Sequence, residues 1–135
     1  METPERILRE FETIAVVGIS RDPEKAAHSV PRALQKAGFR VLPVNPHAET
    51  LLDVPVFRTL ADIDRAVDVV LVFRPSDEAA DVARQAAAIG AKALWLQLGI
   101  RSEEARRIAE SAGMLFVQDQ CIAVERSLRG VVKRR

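Results

Sequence analysis

Residues 14–46 constrain the fold more than any other stretch of the chain. An apolar run, Ile14 to Val17, enters Gly18-Ile19-Ser20. A polar loop with Lys25 follows, then a short amphipathic run closed by Gly38 and a second apolar run ending at Val44-Asn45-Pro46. Strand, turn, helix, glycine stop and strand in that order make a βαβ unit, the opening of a doubly wound sheet. The first turn of such a sheet is where it receives phosphate-bearing ligands. This turn reads Gly-Ile-Ser, not the three-glycine dinucleotide fingerprint, and the second strand ends in Asn45-Pro46, not in an acid that could hold a ribose. Both departures point away from NAD and toward another nucleotide-containing ligand.

The same grammar continues along the chain. Gly38, Gly90 and Gly113 each stop a helix-like run and lead into an apolar strand, as helix C-terminal caps do. Ser76 before Asp77-Glu78, and Ser102 before Glu103-Glu104, place a capping hydroxyl and then acids against a helix dipole. The pattern predicts helices over 4–12, 28–37, 77–89, 103–112 and 122–130. Strands are predicted over 13–18, 40–44, 67–73, 92–97 and 114–118, with an extended piece at Val56-Phe57 and a helical turn near 59–65. Runs such as VDVVLVF are continuously apolar, as in a sheet covered on both faces. The expected fold is α/β, Rossmann-like and doubly wound: a mainly parallel sheet with helices on both faces, forming one domain over 1–135.

Composition removes several function classes. Twenty Lys and Arg against nineteen Asp and Glu give no general basic surface for nucleic acid or membrane. The terminal Lys133-Arg134-Arg135 reads as a solvated tail. A single cysteine, Cys121, excludes an internal disulfide framework. The charged start METPERILREFE has no apolar signal core and no segment reaches membrane-span length, so a cytoplasmic location is expected. Two lone histidines, His28 and His47, with no carboxylate or cysteine at ligand spacing, do not make a metal site.

Ligands of such sheets bind at the carboxyl ends of the strands. These ends are Gly18-Ile19-Ser20, Val44-Asn45-Pro46-His47, Phe73-Arg74-Pro75, Gln97-Leu98-Gly99-Ile100 and Gln118-Asp119-Gln120-Cys121. Nowhere do they gather a nucleophile, a base and an orienting acid, so no catalytic residue is assigned. Gly18 either lets a phosphate approach the backbone or only permits a tight turn. Amides of the Ile19-Ser20 turn are candidate donors, and Arg21, Lys25 and Arg74 are the nearest cations. Lys25 and Arg21 read equally as solvated loop charges, whereas Arg74, at a central strand end, faces the crevice. Asn45-Pro46 is either ligand-facing or a strand-stopping turn. His28 reads as a loop or first-turn residue, and His47 is a further candidate for phosphate. Asp119 reads as the cap of the last helix and Trp95 as core. Cys121 is either a packed small residue or, at a helix start, a reactive thiol.

The joint pattern V-G-I-S, a loop with Lys25, Ser29-Val30-Pro31, V-x-P-V-N-P, F-R-P and D-x-C resembles the small stand-alone CoA-binding proteins. Their fold is that of the CoA-binding domain at the start of the succinyl-CoA synthetase alpha subunit. The resemblance runs from about Thr13 to the final helix. It implies CoA lying across the strand ends, its nucleotide half near the first turn. Gly18, Ser20 and Lys25 match the phosphate side, Val44-Asn45-Pro46 the second strand end and Phe73-Arg74-Pro75 the loop after the central strand, and Ile19 and Ser29 join them as cofactor-binding candidates. Gln97-Leu98-Gly99 matches the stretch flanking the pantetheine, with Cys121 on the same rim. The second synthetase domain, with its phosphorylated histidine, has no counterpart in this sequence, so the resemblance implies a binding mode without the ligase reaction. Two functions follow: a CoA or acyl-CoA binding module, or a small Rossmann-type enzyme or redox protein using NAD(P) or another nucleotide through Cys121. The missing acid at the end of the second strand favours the module.

Overall fold

The computed structural model describes residues 1–134; Arg135, the last residue of the expected tail, lies outside the described residues. In chain order the elements are α1 (Thr3–Glu10), β1 (Thr13–Val17), α2 (Ala26–Lys36), β2 (Arg40–Val44), β3 (Thr50–Leu51), β4 (Val54–Pro55), β5 (Val69–Val72), α3 (Ala79–Ala88), β6 (Ala93–Leu96), α4 (Glu103–Ser111), β7 (Leu115–Val117) and α5 (Ile122–Arg129). Short 3-10 turns cover Leu60–Asp62 and Ser76–Glu78.

The main sheet is wholly parallel, in the order β2-β1-β5-β6-β7. Chain order reverses beside β1, and that reversal opens a crevice at the carboxyl ends of the strands. Alternate strand residues feed two cores, as the two-residue period of a strand dictates. Ile14, Val16, Val69, Leu71 and Trp95 pack with Ile7, Leu34 and Ile122, so α1, α2 and α5 cover one face. Ala15, Val70, Val72, Leu94 and Leu96 pack with Leu60, Val82 and Ala105, so α3 and α4 cover the other. The strands are buried on both faces, as their unbroken apolar runs predict.

Three expectations about termini need correction. Ser76 does not cap a helix: residues 76–78 form a 3-10 turn, and its hydroxyl accepts the Arg101 N–H at 3.0 Å. The helix predicted from 28 starts at Ala26. Lys133 is not solvated tail: its N–H donates to the Ala37 carbonyl at 2.8 Å, and its ammonium reaches the Arg9 carbonyl at 2.9 Å and lies over the Phe39 ring. Burial lowers the pKa of that ammonium. By contrast, the Ser102 hydroxyl accepts from the Ala105 N–H at 3.0 Å, as its cap position predicts. A small antiparallel hairpin, β3-β4, was not expected. Its turn is Leu52-Asp53, both at positive φ, without the Asn or Gly that normally signals such a turn.

Candidate functional site

The loop after β1 is organised by its own side chains. Ser20 Oγ accepts the Asp22 N–H at 3.0 Å, and Asp22 Oδ1 accepts the Glu24 N–H at 3.0 Å. Pro31, inside α2, has no N–H to give the carbonyl four residues back, that of Ala27. That carbonyl instead accepts the Ser20 N–H at 3.0 Å, and His28 Nδ1, in the first turn of α2, sits 2.8 Å from the Ser20 carbonyl. The Ser20 amide is therefore not the free donor expected from sequence. Among the described residues, the amides of Gly18 and Ile19 meet no such acceptor.

Asn45 ties the end of β2 to this turn. Its Oδ1 accepts the N–H groups of His47 (2.8 Å) and Ala48 (3.1 Å), closing a turn, while Nδ2 donates to the Ile19 carbonyl at 3.3 Å. Holding that carbonyl fixes the peptide plane beside the two free amides. A carboxylate at this position could not make the third bond, so the residue type serves the turn geometry.

These strand ends enclose a cleft of about 390 Å³, lined by Val17, Gly18, Ile19, Val44, Asn45, Pro46, His47, Arg58, Thr59, Leu60, Arg74 and Gln85. The size lies within the roughly 300–1,000 Å³ usual for small-molecule sites. Seven of the sequence candidates thus converge: Gly18, Ile19, Val44, Asn45, Pro46, His47 and Arg74. Arg58, Thr59 and Gln85 were missed. The extended piece at Val56-Phe57 was the one hint of Arg58 and Thr59, because Phe57 bridges Val44 and carries the chain past the end of β2.

Lys25 and Ser29 do not line the cleft. Lys25 occupies the exposed N-cap of α2, which has no side-chain cap and no acid in its first turn. Arg74 is not a free cation: its guanidinium holds Glu78 through two 3.0 Å bonds, and Glu78 raises its pKa. The pair is about half exposed, and such pairs are worth at most about 1 kcal/mol, so an arriving phosphate can compete for Arg74. Phe73 is half-buried against the α1–α2–α5 core, and Pro75 is exposed.

The remaining candidates form a separate rim at the ends of β6 and β7. Gln97 is 5% exposed, and its Oε1 accepts the Ile122 N–H at the start of α5 at 3.2 Å. Leu98 is 64% exposed, and Cys121 is half-buried beside the core. Asp119 does not cap α5. Its carboxylate accepts the Gly99 N–H at 2.7 Å and pairs with Arg101 at 3.1 Å, and these partners, the Gly99 amide first, hold its pKa below the usual carboxylate value. Trp95 is core as expected, and its indole N–H donates to the Gln120 carbonyl at 2.8 Å. Among the described residues, no group of three or more His, Cys, Asp or Glu could hold a metal ion, and no helix is long and apolar enough to cross a membrane.

Comparison with known proteins matches residues 12–127 to the family described as CoA binding domain. The uncharacterized protein YneT of Bacillus subtilis is 37% identical over 118 residues, 87% of each chain. A solved structure from Thermus thermophilus, cell-free ID.343, is 38% identical with a TM-score of 0.88, the match covering 95% of this chain and 98% of that one. The ADP-forming acetate–CoA ligase II of Archaeoglobus fulgidus is 29% identical over 100 residues, which is 73% of this chain and 15% of the ligase.

Proposed function

The chain belongs to the CoA binding domain family, and from that premise we propose that it is a binding module for CoA or an acyl-CoA with no catalytic step of its own. The observation that carries this reading is the cleft at the β1–β2 ends. There two amides that meet no acceptor among the described residues, Gly18 and Ile19, stand beside an apolar wall of Val17, Val44 and Leu60. CoA carries both kinds of group such a site needs: a diphosphate for backbone donors and an adenine for the apolar wall. On this reading the diphosphate lies at the Gly18–Ile19 turn, with the Ser20 loop, Lys25 and Ser29 at the adjoining α2 end. The adenosine lies against Val44, Asn45 and Pro46. The pantetheine crosses Phe73, Arg74 and Pro75 toward Gln97, Leu98, Gly99 and Cys121. Affinity comes from the nucleotide half, so the Cys121 thiol is not required for reversible binding. Asn45, with its amide committed to Ile19, His47 and Ala48, leaves no carboxylate for the ribose of NAD, which supports CoA over the dinucleotide.

Melting curves with CoA and with NAD at equal concentrations test this. A ligand present at one hundred times its dissociation constant stabilises the folded chain by about 2.7 kcal/mol. CoA should raise the melting temperature and NAD should leave it nearly unmoved. A larger shift with NAD would overturn the reading.

A further inference from the structure

Arg58 follows Phe57, whose backbone continues the sheet beside β2: the Phe57 N–H donates to the Pro43 carbonyl at 3.0 Å, and the Asn45 N–H donates to the Phe57 carbonyl at 2.9 Å. This pairing carries Arg58 over Pro46, whose carbonyl accepts from its guanidinium at 2.6 Å. A guanidinium has five N–H donors, and this contact uses one. Among the described residues, no carboxylate pairs with Arg58, whereas Arg74 on the same cleft is held by Glu78. Thr59 and Gln85 are also committed, to Asp62 and Asp81. Arg58 is therefore oriented by one backbone carbonyl and lacks a counter-charge, at the lip of a cleft that His47 also lines. A planar, pre-oriented guanidinium of this kind suits a phosphate dianion, which it can bind through two parallel bonds.

We infer that Arg58, with His47 lining the same cleft, receives the ribose 3′-phosphate of CoA and sets the preference of this site for CoA over dephospho-CoA. This assignment rests on the CoA reading above. It leaves the diphosphate to the Gly18 and Ile19 amides, and it makes Arg58 the residue that distinguishes two ligands identical everywhere else.

Calorimetric titration of the full chain with CoA and with dephospho-CoA tests the assignment, using the parent, Arg58→Ala and Arg58→Lys. Melting curves without ligand establish that each variant is folded. The parent should bind CoA at least tenfold more tightly than dephospho-CoA. Arg58→Ala should lose that preference, with its dephospho-CoA affinity within about twofold of the parent, and Arg58→Lys should keep part of it. If Arg58→Ala weakens both ligands equally, Arg58 acts only through Pro46 and the assignment falls. It falls also if the variant keeps the preference, or if the parent binds both ligands alike. A parent that binds neither ligand would overturn the CoA reading itself.

Discussion

Gly38→Ala should lower the melting temperature by roughly 10 °C, the consequence of about 3 kcal/mol lost in a chain of this size. Gly38 closes α2 at φ +95°, a conformation that costs an L-residue about 1–2 kcal/mol. A side chain there has a second problem, because its Cβ would land on the Lys133 carbonyl. The C-terminal segment would have to lift. It would give up the bond from the Lys133 N–H to Ala37 and the Lys133 ammonium contacts, and disturb Val131, which is buried in the core formed with α1 and α2. Gly90 closes α3 at φ +74° with open space around its missing Cβ. Gly90→Ala should therefore cost only the conformational part, and the difference between the two variants measures the docking of the C-terminal segment. Equal melting temperatures would show that the segment contributes nothing.

Gly18→Ala should reduce CoA affinity by more than about a hundredfold, near 2.7 kcal/mol, while leaving a folded protein. Gly18 has φ +88°, and a Cβ there would stand 3.0 Å from both the Phe73 carbonyl carbon and Arg74 Cδ. Phe73 belongs to the backbone that leaves the central strand, so it cannot yield as a flexible side chain would; the β1 turn must move instead. Its movement would carry the Gly18 and Ile19 amides, and the Asn45 link to Ile19, away from the cleft. The packing of two strand ends thus requires the glycine whatever its part in binding. Calorimetry checks the outcome, with a melting curve to separate lost binding from lost fold. Undiminished affinity would mean that these amides do not hold the phosphates.

What could be read from sequence follows the range of the interaction involved. The apolar runs gave the strands and the helix-to-strand glycines gave three joints, because both depend on neighbours a few residues away. The Ser102 cap was legible for the same reason. Ser76 and Asp119 look equally like caps, but each has a partner from a distant loop: the Arg101 amide for one, Gly99 and Arg101 for the other. Gly38, Gly90 and Gly113 are indistinguishable locally, and only the docked end of the chain sets Gly38 apart. In the candidate site, Gly18, Asn45 and Arg74 were legible because strand ends in a parallel sheet share one edge. Arg58 was not, since its place depends on a hairpin turned by Leu52-Asp53 and on the pairing of Phe57 with β2. The pairing of Arg74 with Glu78 was likewise hidden, although the four-residue spacing allowed it.

An amide-resolved NMR titration of the full chain with CoA would show which strand ends receive the ligand. The Gly18 and Ile19 resonances should shift most, together with those of Val44, Asn45, His47 and residues 58–60 around the same cleft. The contradicting result is a saturable CoA response that leaves Gly18 and Ile19 unmoved and instead perturbs Thr3, Gln118 and Gln120, which line a separate cleft beside β7.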